Sequence, residues 1–293
     1  MKNKLSLFAV PYVGWMSIFV VAPIIIMVVY AFSTAAGDFT LENFARMGTY
    51  TAVFTRSFKL AIIATLIALL IGYPVSYMLS KEGPQVQRIA MVLIMLPMWM
   101  NFLLRTYSWM SILENNGLLN QLFQQIGLID LYNQIAMHFA SDPAAYVPID
   151  HFQMIGTQGA VVLGMVYNYL PFMILPIYSV LVKLDHSLIE AARDLGASSV
   201  QVFRKVILPL SLPGALSGIT MVFVPSVSTF AISRLLGGGT QMMLGDLIEQ
   251  QFLGGAYNPQ LGAAIALVMM AIVVVCMLVM NRFGDGEEQA VML

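Results

Sequence analysis

Apolar residues run along this chain in long uninterrupted stretches rather than alternating with polar ones. Five stretches carry no charge over a length that can span a bilayer, which takes about 20 residues of helix: Phe8–Phe32, Leu60–Leu79, Gly159–Val182, Pro213–Ile232 and Leu261–Met280. A sixth run, Ile89–Leu104, is shorter but continues past Arg105 to Leu113, so 89–113 reads as one span with Arg105 near an end, where a long side chain can snorkel to the interface. The pattern predicts an all-α membrane protein of six transmembrane helices in a single domain covering 1–293, with spans at about 8–32, 60–79, 89–113, 159–182, 213–232 and 261–280. The first run follows Lys2 and Lys4 as a signal peptide would, but its apolar stretch far exceeds the about 7–15 residues of a cleaved segment, so it reads as a retained span.

Composition sharpens this. Hydrophobic residues make up 59% of the chain and charged ones 10%, with a mean hydropathy of +0.82; a soluble domain carries about 25% charge. A net charge of −1 leaves no basic stripe for nucleic acid. The single cysteine, Cys276, excludes an internal disulfide, and His138, His151 and His186 are too scattered for a metal site. Six spans put both termini on one side. Nine basic residues share that side and five the other, and the richer side is cytoplasmic by the positive-inside rule. The outer loops hold eight acidic residues against those five bases.

Between spans three and four, Leu118, Leu119, Leu122, Phe123 and Ile126 recur at helical spacing; an interfacial helix and packing on neighbouring spans fit equally well. Prolines 23, 74, 97, 171, 176 and 225 bend the spans, either as static kinks or as hinges of a path. No Asp, Glu or Lys lies mid-span, which disfavours an ion-coupled secondary carrier. The polar groups inside the spans are milder: Asn101, Tyr167, Asn168, Tyr169 and Ser226. None of the six lysines follows a glycine, so the phosphate-binding loop of an ATPase is missing and any ATP drive must come from another subunit.

The segment 183–212 is not a plain turn. Ser187 and Glu190 have capping-box spacing, Leu188, Ala191, Ala192 and Leu195 form an apolar stripe, and Gly196 stands where a helix ends. A second helix is expected to start at Ser198 or Ser199 and to meet Pro209. A helix of about two turns is unstable alone and must pack on its own spans or on a partner.

Glu190-Ala191-Ala192, Gly196 and, further on, Leu208-Pro209 resemble the EAA loop of binding-protein-dependent ABC import permeases, with Val206 where that family has isoleucine. Gly72-Tyr73-Pro74, Leu96–Asn101, Leu104–Trp109, Tyr169–Met173, Leu236-Gly237-Gly238 and Gln251-Phe252 resemble the spermidine/putrescine branch. The resemblance implies a type I importer permease fold and a non-catalytic subunit of the bacterial inner membrane. It implies coupling to a separate ATPase through Glu190, Ala191, Ala192, Asp194, Gly196, Leu208 and Pro209. It implies a second, similar permease subunit, two ATPase subunits that bind ATP and magnesium, and an extracellular or periplasmic polyamine-binding protein; this chain itself holds no cofactor or metal. Candidate substrate-path residues are Trp99, Asn101, Tyr107, Trp109, Tyr167, Tyr169, Asp246 and Glu249. The aromatics, Tyr257 among them, suit cation–π contact with a polyamine, but fit an interfacial belt better. Asp246 and Glu249 either attract the cation or solvate a loop. Another solute such as thiosulfate, sulfate, iron or an amino acid is the alternative cargo, and a scaffold without transport is the remaining reading.

Overall fold

The computed structural model describes residues 11–139 and 146–291. Phe8, Lys2, Lys4 and Asp142 of the sequence reading lie outside them. The described chain is almost entirely helical, with one isolated bridge between Ser33 and Phe39. Five helices are long and apolar enough to cross a membrane, and a bent pair raises this to six if it counts as one span.

Helix α1 (Pro11–Ala31) contains a π-helical turn at Ser17–Val21 and presents Trp15, Phe19 and Ile25 outward, packing mainly on the last helix, with Ala31 at its end also meeting Phe44 and Met47. Short turns at Glu42–Arg46 and Met47–Tyr50 lead into α2 (Thr51–Ser80). Helices α3 (Pro84–Trp99) and α4 (Phe102–Leu113) follow. The expected span 89–113 is not one continuous helix: the chain turns by 90° at Met100–Asn101, leaving a bent pair. Pro97 removes a ladder donor just before the turn, and the Asn101 side chain accepts the Leu103 and Leu104 N–H groups to start the new helix.

The connection to the next long helix carries α5 (Leu118–Gln125) and α6 (Leu128–Phe139). The apolar stripe of α5 is divided. Leu119 joins the core and Phe123 meets Phe152 edge-on, while Leu118, Leu122 and Ile126 face outward. Buried Asn120 pins α5 by exchanging two hydrogen bonds with the Phe152 backbone, at 2.9 and 3.0 Å.

Helix α7 (Gln158–Leu181) and α9 (Ser199–Ser228) pack with α2 as the centre of the bundle. Their contact runs through small residues. On α2 these are Ala61, Ala64, Ala68 and Gly72; on α9 they are Gly214, Ala215 and Gly218. Lipid gives helices no hydrophobic reason to associate, so close backbone approach and interhelical hydrogen bonds must do it. Ser76 donates to the Ile174 carbonyl at 3.0 Å, and the Tyr73 and Ser211 hydroxyls lie 2.6 Å apart.

Helix α9 starts at Ser199, as expected, and runs on through Pro209. A π-helical turn at Phe203–Ile207 carries the chain through Pro209 by shifting the carbonyl pairing that proline would break. Its far end departs from the expected 213–232: the helix ends at Ser228, three residues after Pro225, and Ile232 belongs to a separate short α10 (Ala231–Leu236). Helix α11 (Leu244–Leu253) seats Gly245 against the Ser228 and Thr229 carbonyls freed by that break. Ser57 of α2 accepts the Leu244 N–H at 2.8 Å. Helix α12 (Pro259–Val291) closes the fold and carries α1 on its flank.

Candidate functional site

Two regions bring chemistry-bearing residues together. The first is α8 (His186–Asp194), between α7 and α9. Its start differs from the expected Ser187–Glu190 box. Asp185 is the cap: its carboxylate accepts the Ser187 N–H at 2.9 Å, a bond that also holds Asp185 below its ordinary carboxylate pKa. Asp185 and Ser187 are both good caps, and Asp185 comes two residues earlier. A true capping box forms instead at Ser198 and Gln201, opening α9.

The end of α8 is closed as the sequence suggested. Gly196 takes φ +81°, its N–H bonds the Arg193 carbonyl at 2.8 Å, and the Ala197 N–H reaches back to the Ala192 carbonyl at 3.1 Å. This is the Schellman closure, which needs a left-handed residue at that point. The apolar stripe divides between two faces. Ala192, with Ile189, packs on the bundle. Leu188, Ala191 and Leu195 face away from it, Leu195 with 89% of its surface exposed, and Glu190 and Asp194 are exposed beside them. A two-turn helix therefore holds an apolar ridge with acidic flanks out into open space. Leu208 and Pro209 lie one π-turn into α9, behind α8.

The second region surrounds α4. Trp99 (76% exposed) and Tyr107 project outward, and Asn101 is occupied as the cap of α4. Trp109 meets Tyr167 edge-on with ring centres 5.2 Å apart. Arg105 does not snorkel. The 90° turn leaves it buried, 8% exposed, on the helix that packs against α7 and α10, near the Tyr169 side chain. Neither its Nε nor its Nη1 has a hydrogen-bond partner among the described residues. The sequence signal was present, since Arg105 is the one basic residue inside an apolar run, but its direction depended on the turn. Of the other polar span residues, Asn168 and Ser226 are buried in the bundle. Tyr257 stands apart, at the mouth of a 570 Å³ cavity shared with Tyr30, Glu42 and Arg46.

Asp246 and Glu249 are not free loop acids. Arg234 donates to both carboxylate oxygens of Glu249 at 2.9 Å. Asp246, 6% exposed, accepts from the Ser233 hydroxyl and from the Met243 N–H, fixing α10 to the start of α11. Helix α11 lies outside the spanning helices, and burial lifts the Asp246 carboxyl above its ordinary 3.8 despite these bonds. A raised folded-state pKa means that the protonated form is favoured in the fold. That stabilisation is complete below the unfolded value and is lost as pH rises through the folded one. Thermal unfolding of wild type and Asp246→Asn between pH 7 and 4 is therefore expected to show the wild type gaining on the variant as pH falls. A constant difference across that window would remove this account of Asp246.

A bundle of apolar helices with a short amphipathic helix exposed at one end defines the class, a membrane-embedded permease. The chain belongs to the binding-protein-dependent transport system inner membrane component family, which matches residues 64–286. It is 35% identical over 281 residues to the spermidine/putrescine transport system permease protein PotB of Escherichia coli K12, covering 93% of this chain and 95% of that one. It is also 35% identical over 285 residues to PotB of Haemophilus influenzae, covering 93% of each. Among solved structures, the fold matches a bacterial ABC transporter involved in the import of the acidic polysaccharide alginate, with TM-score 0.76 at 16% identity over 97% of this chain and 96% of that one. The MetNI methionine ABC transporter, in an inward-facing form, matches with TM-score 0.54 at 19% identity over 84% and 98%. The chain is thus a multi-pass inner-membrane permease subunit of an ABC importer, of type I fold and not an enzyme.

Proposed function

We propose that the cargo is a polyamine of the spermidine/putrescine class. The observation that carries this reading is the 35% identity to PotB proteins along 93% of the chain, which includes both the bent α3–α4 pair and the α8 loop. The ridge of α8, with Glu190, Ala191 and Asp194 exposed and Ala192 packed behind, docks on an ATPase subunit, and Gly196, Leu208 and Pro209 fix its attitude. Two such subunits supply ATP and magnesium, a second permease completes the path, and an external polyamine-binding protein loads it. Both termini and α8 face the cytoplasm, on the basic side of the chain.

For the path itself, Trp99, Tyr107, Trp109, Tyr167 and Tyr169 are the aromatic candidates. Asp246, Glu249 and Asn101 are engaged by internal partners, so any contact they make with a cation is indirect.

Competition uptake tests the cargo. In cells lacking their own polyamine importers, the whole system is expected to accumulate labelled spermidine, with unlabelled putrescine competing and sulfate, thiosulfate and amino acids inert. Absent spermidine uptake, with accumulation of one of the other solutes, would replace polyamine by that solute.

A further inference from the structure

Helix α8 does not lie flush on the bundle. Between it and the ends of α2 and α7 is a cavity of about 360 Å³. His186, Ile189 and Arg193 occupy positions i, i+3 and i+7 of α8, one face of a helix, and that face borders the cavity. Opposite stands Lys81, the C-terminal cap of α2, with its ammonium 3.8 Å above the Tyr77 ring. Ser80 and Ser199 add hydroxyls, and Leu181, Leu184, Val202 and Ile207 form an apolar wall. Among the described residues no carboxylate lines this space. Lys81, His186 and Arg193 form no ion pair among the described residues.

Two helix C-termini, those of α2 at Ser80 and α7 at Leu181, point their partial negative charge towards this region. They make it tolerable to gather three basic side chains. The carbonyls exposed at those ends are acceptors, but among the described residues the side chains of Lys81, His186 and Arg193 donate no hydrogen bond to them. An anion rich in acceptor oxygens fills those donors. Phosphate offers three or more, and Arg and Lys are its usual partners.

We propose that this cavity binds a phosphate group, carried either by a phospholipid headgroup or by a soluble phosphate ester. The apolar wall beside the basic rim gives a lipid chain a surface, so both sources are chemically admissible. Bound phosphate links Lys81 of α2 to His186 and Arg193 of α8, tying the exposed helix to the bundle by charge as well as by Ile189 and Ala192. The proposal goes beyond the polyamine reading, and a binding measurement keeps the two separable.

The test is native mass spectrometry of the purified full chain, titrated with phosphatidylglycerol, with zwitterionic phosphatidylcholine, and with inorganic phosphate. Phosphatidylglycerol adducts are expected, displaced by millimolar inorganic phosphate. The double variant Lys81→Gln/Arg193→Gln should weaken them by about tenfold or more, as loss of two charge-assisted bonds implies, and Lys81→Arg should retain them. Equal displacement by phosphate without a lipid preference assigns the soluble source and supports the site. Independently of any variant, bound phosphate should slow modification of Lys81 by an amine-reactive reagent in the wild type. Adducts unchanged in the double variant, or Lys81 labelling indifferent to both anions, would overturn the proposal.

Discussion

Valine at Gly196 is expected to abolish solute uptake while the chain reaches the membrane at normal abundance. Open space surrounds the place where a Cβ would sit at Gly196, so the effect is not steric crowding from neighbours. It is backbone strain. At φ +81° a β-branched residue is a strong outlier, at a cost of about 1–3 kcal/mol. A two-turn helix has little stability of its own to oppose that cost. The closure made by the Gly196 and Ala197 N–H groups opens, and the ridge of Leu188, Ala191 and Leu195 loses the end that fixes its direction. Alanine should show a partial defect and asparagine a smaller one, because asparagine tolerates left-handed backbone. Glu190→Lys reverses charge on the exposed side of the same helix without touching its backbone, and should likewise eliminate uptake. Labelled spermidine uptake, normalised to membrane abundance, reads all four variants; wild-type rates in both Gly196→Val and Glu190→Lys would dissociate α8 from the transport cycle.

The parts of this fold that were legible in the sequence are those set by local chemistry. Charge-free runs near 159–182 and 261–280 have only one low-energy form in lipid, since a helix alone satisfies its own backbone there. The closure at Gly196 was equally readable, because a glycine after an apolar-periodic stretch states its own geometry. What escaped was set by partners distant in sequence. Asp246 and Glu249 look like a free acidic pair until Ser233 and Arg234, 13 and 15 residues earlier, fold back over them. Arg105 was visible as the charge in an apolar run, but whether it points out or in depends on the 90° turn at Met100–Asn101. Asp185 and Ser187 are both competent caps, and only the packing of α8 over the ends of α2 and α7 decides between them. The basic cavity behind α8 draws Lys81 from one loop and Arg193 from another, 112 positions further along, which no reading of single segments joins.

The second large effect is expected in the bundle itself, at Gly214 and Gly218. These two glycines, four apart on α9, let its backbone lie directly on α7. A Cβ added at Gly214 would stand 2.8 Å from the Pro176 carbonyl and 3.2 Å from the Ile177 Cα; one at Gly218 would stand 3.0 Å from the Met173 carbonyl and 3.3 Å from its Cα. The obstacles are backbone atoms, which cannot rotate aside as a side chain can. Either helix must move, and the hydrogen bond from Ser76 to Ile174 and the Tyr73–Ser211 pair move with them. Overpacking of this kind costs about 1–3 kcal/mol for a methylene or two, and leucine adds four carbons against a rigid wall. Gly214→Leu is therefore expected to remove most folded protein, seen as loss of the monodisperse peak in fluorescence-detected size exclusion and a fall in membrane abundance. Gly14→Leu is the matched control, because nothing lies within 4 Å of a Cβ there. The two glycine classes separate by outcome. Gly196→Val should leave a folded, silent subunit, and Gly214→Leu should leave no subunit to assay. A Gly214→Leu chain that accumulates and melts like wild type would mean that α7 and α9 are not held in the close contact on which the bundle is built.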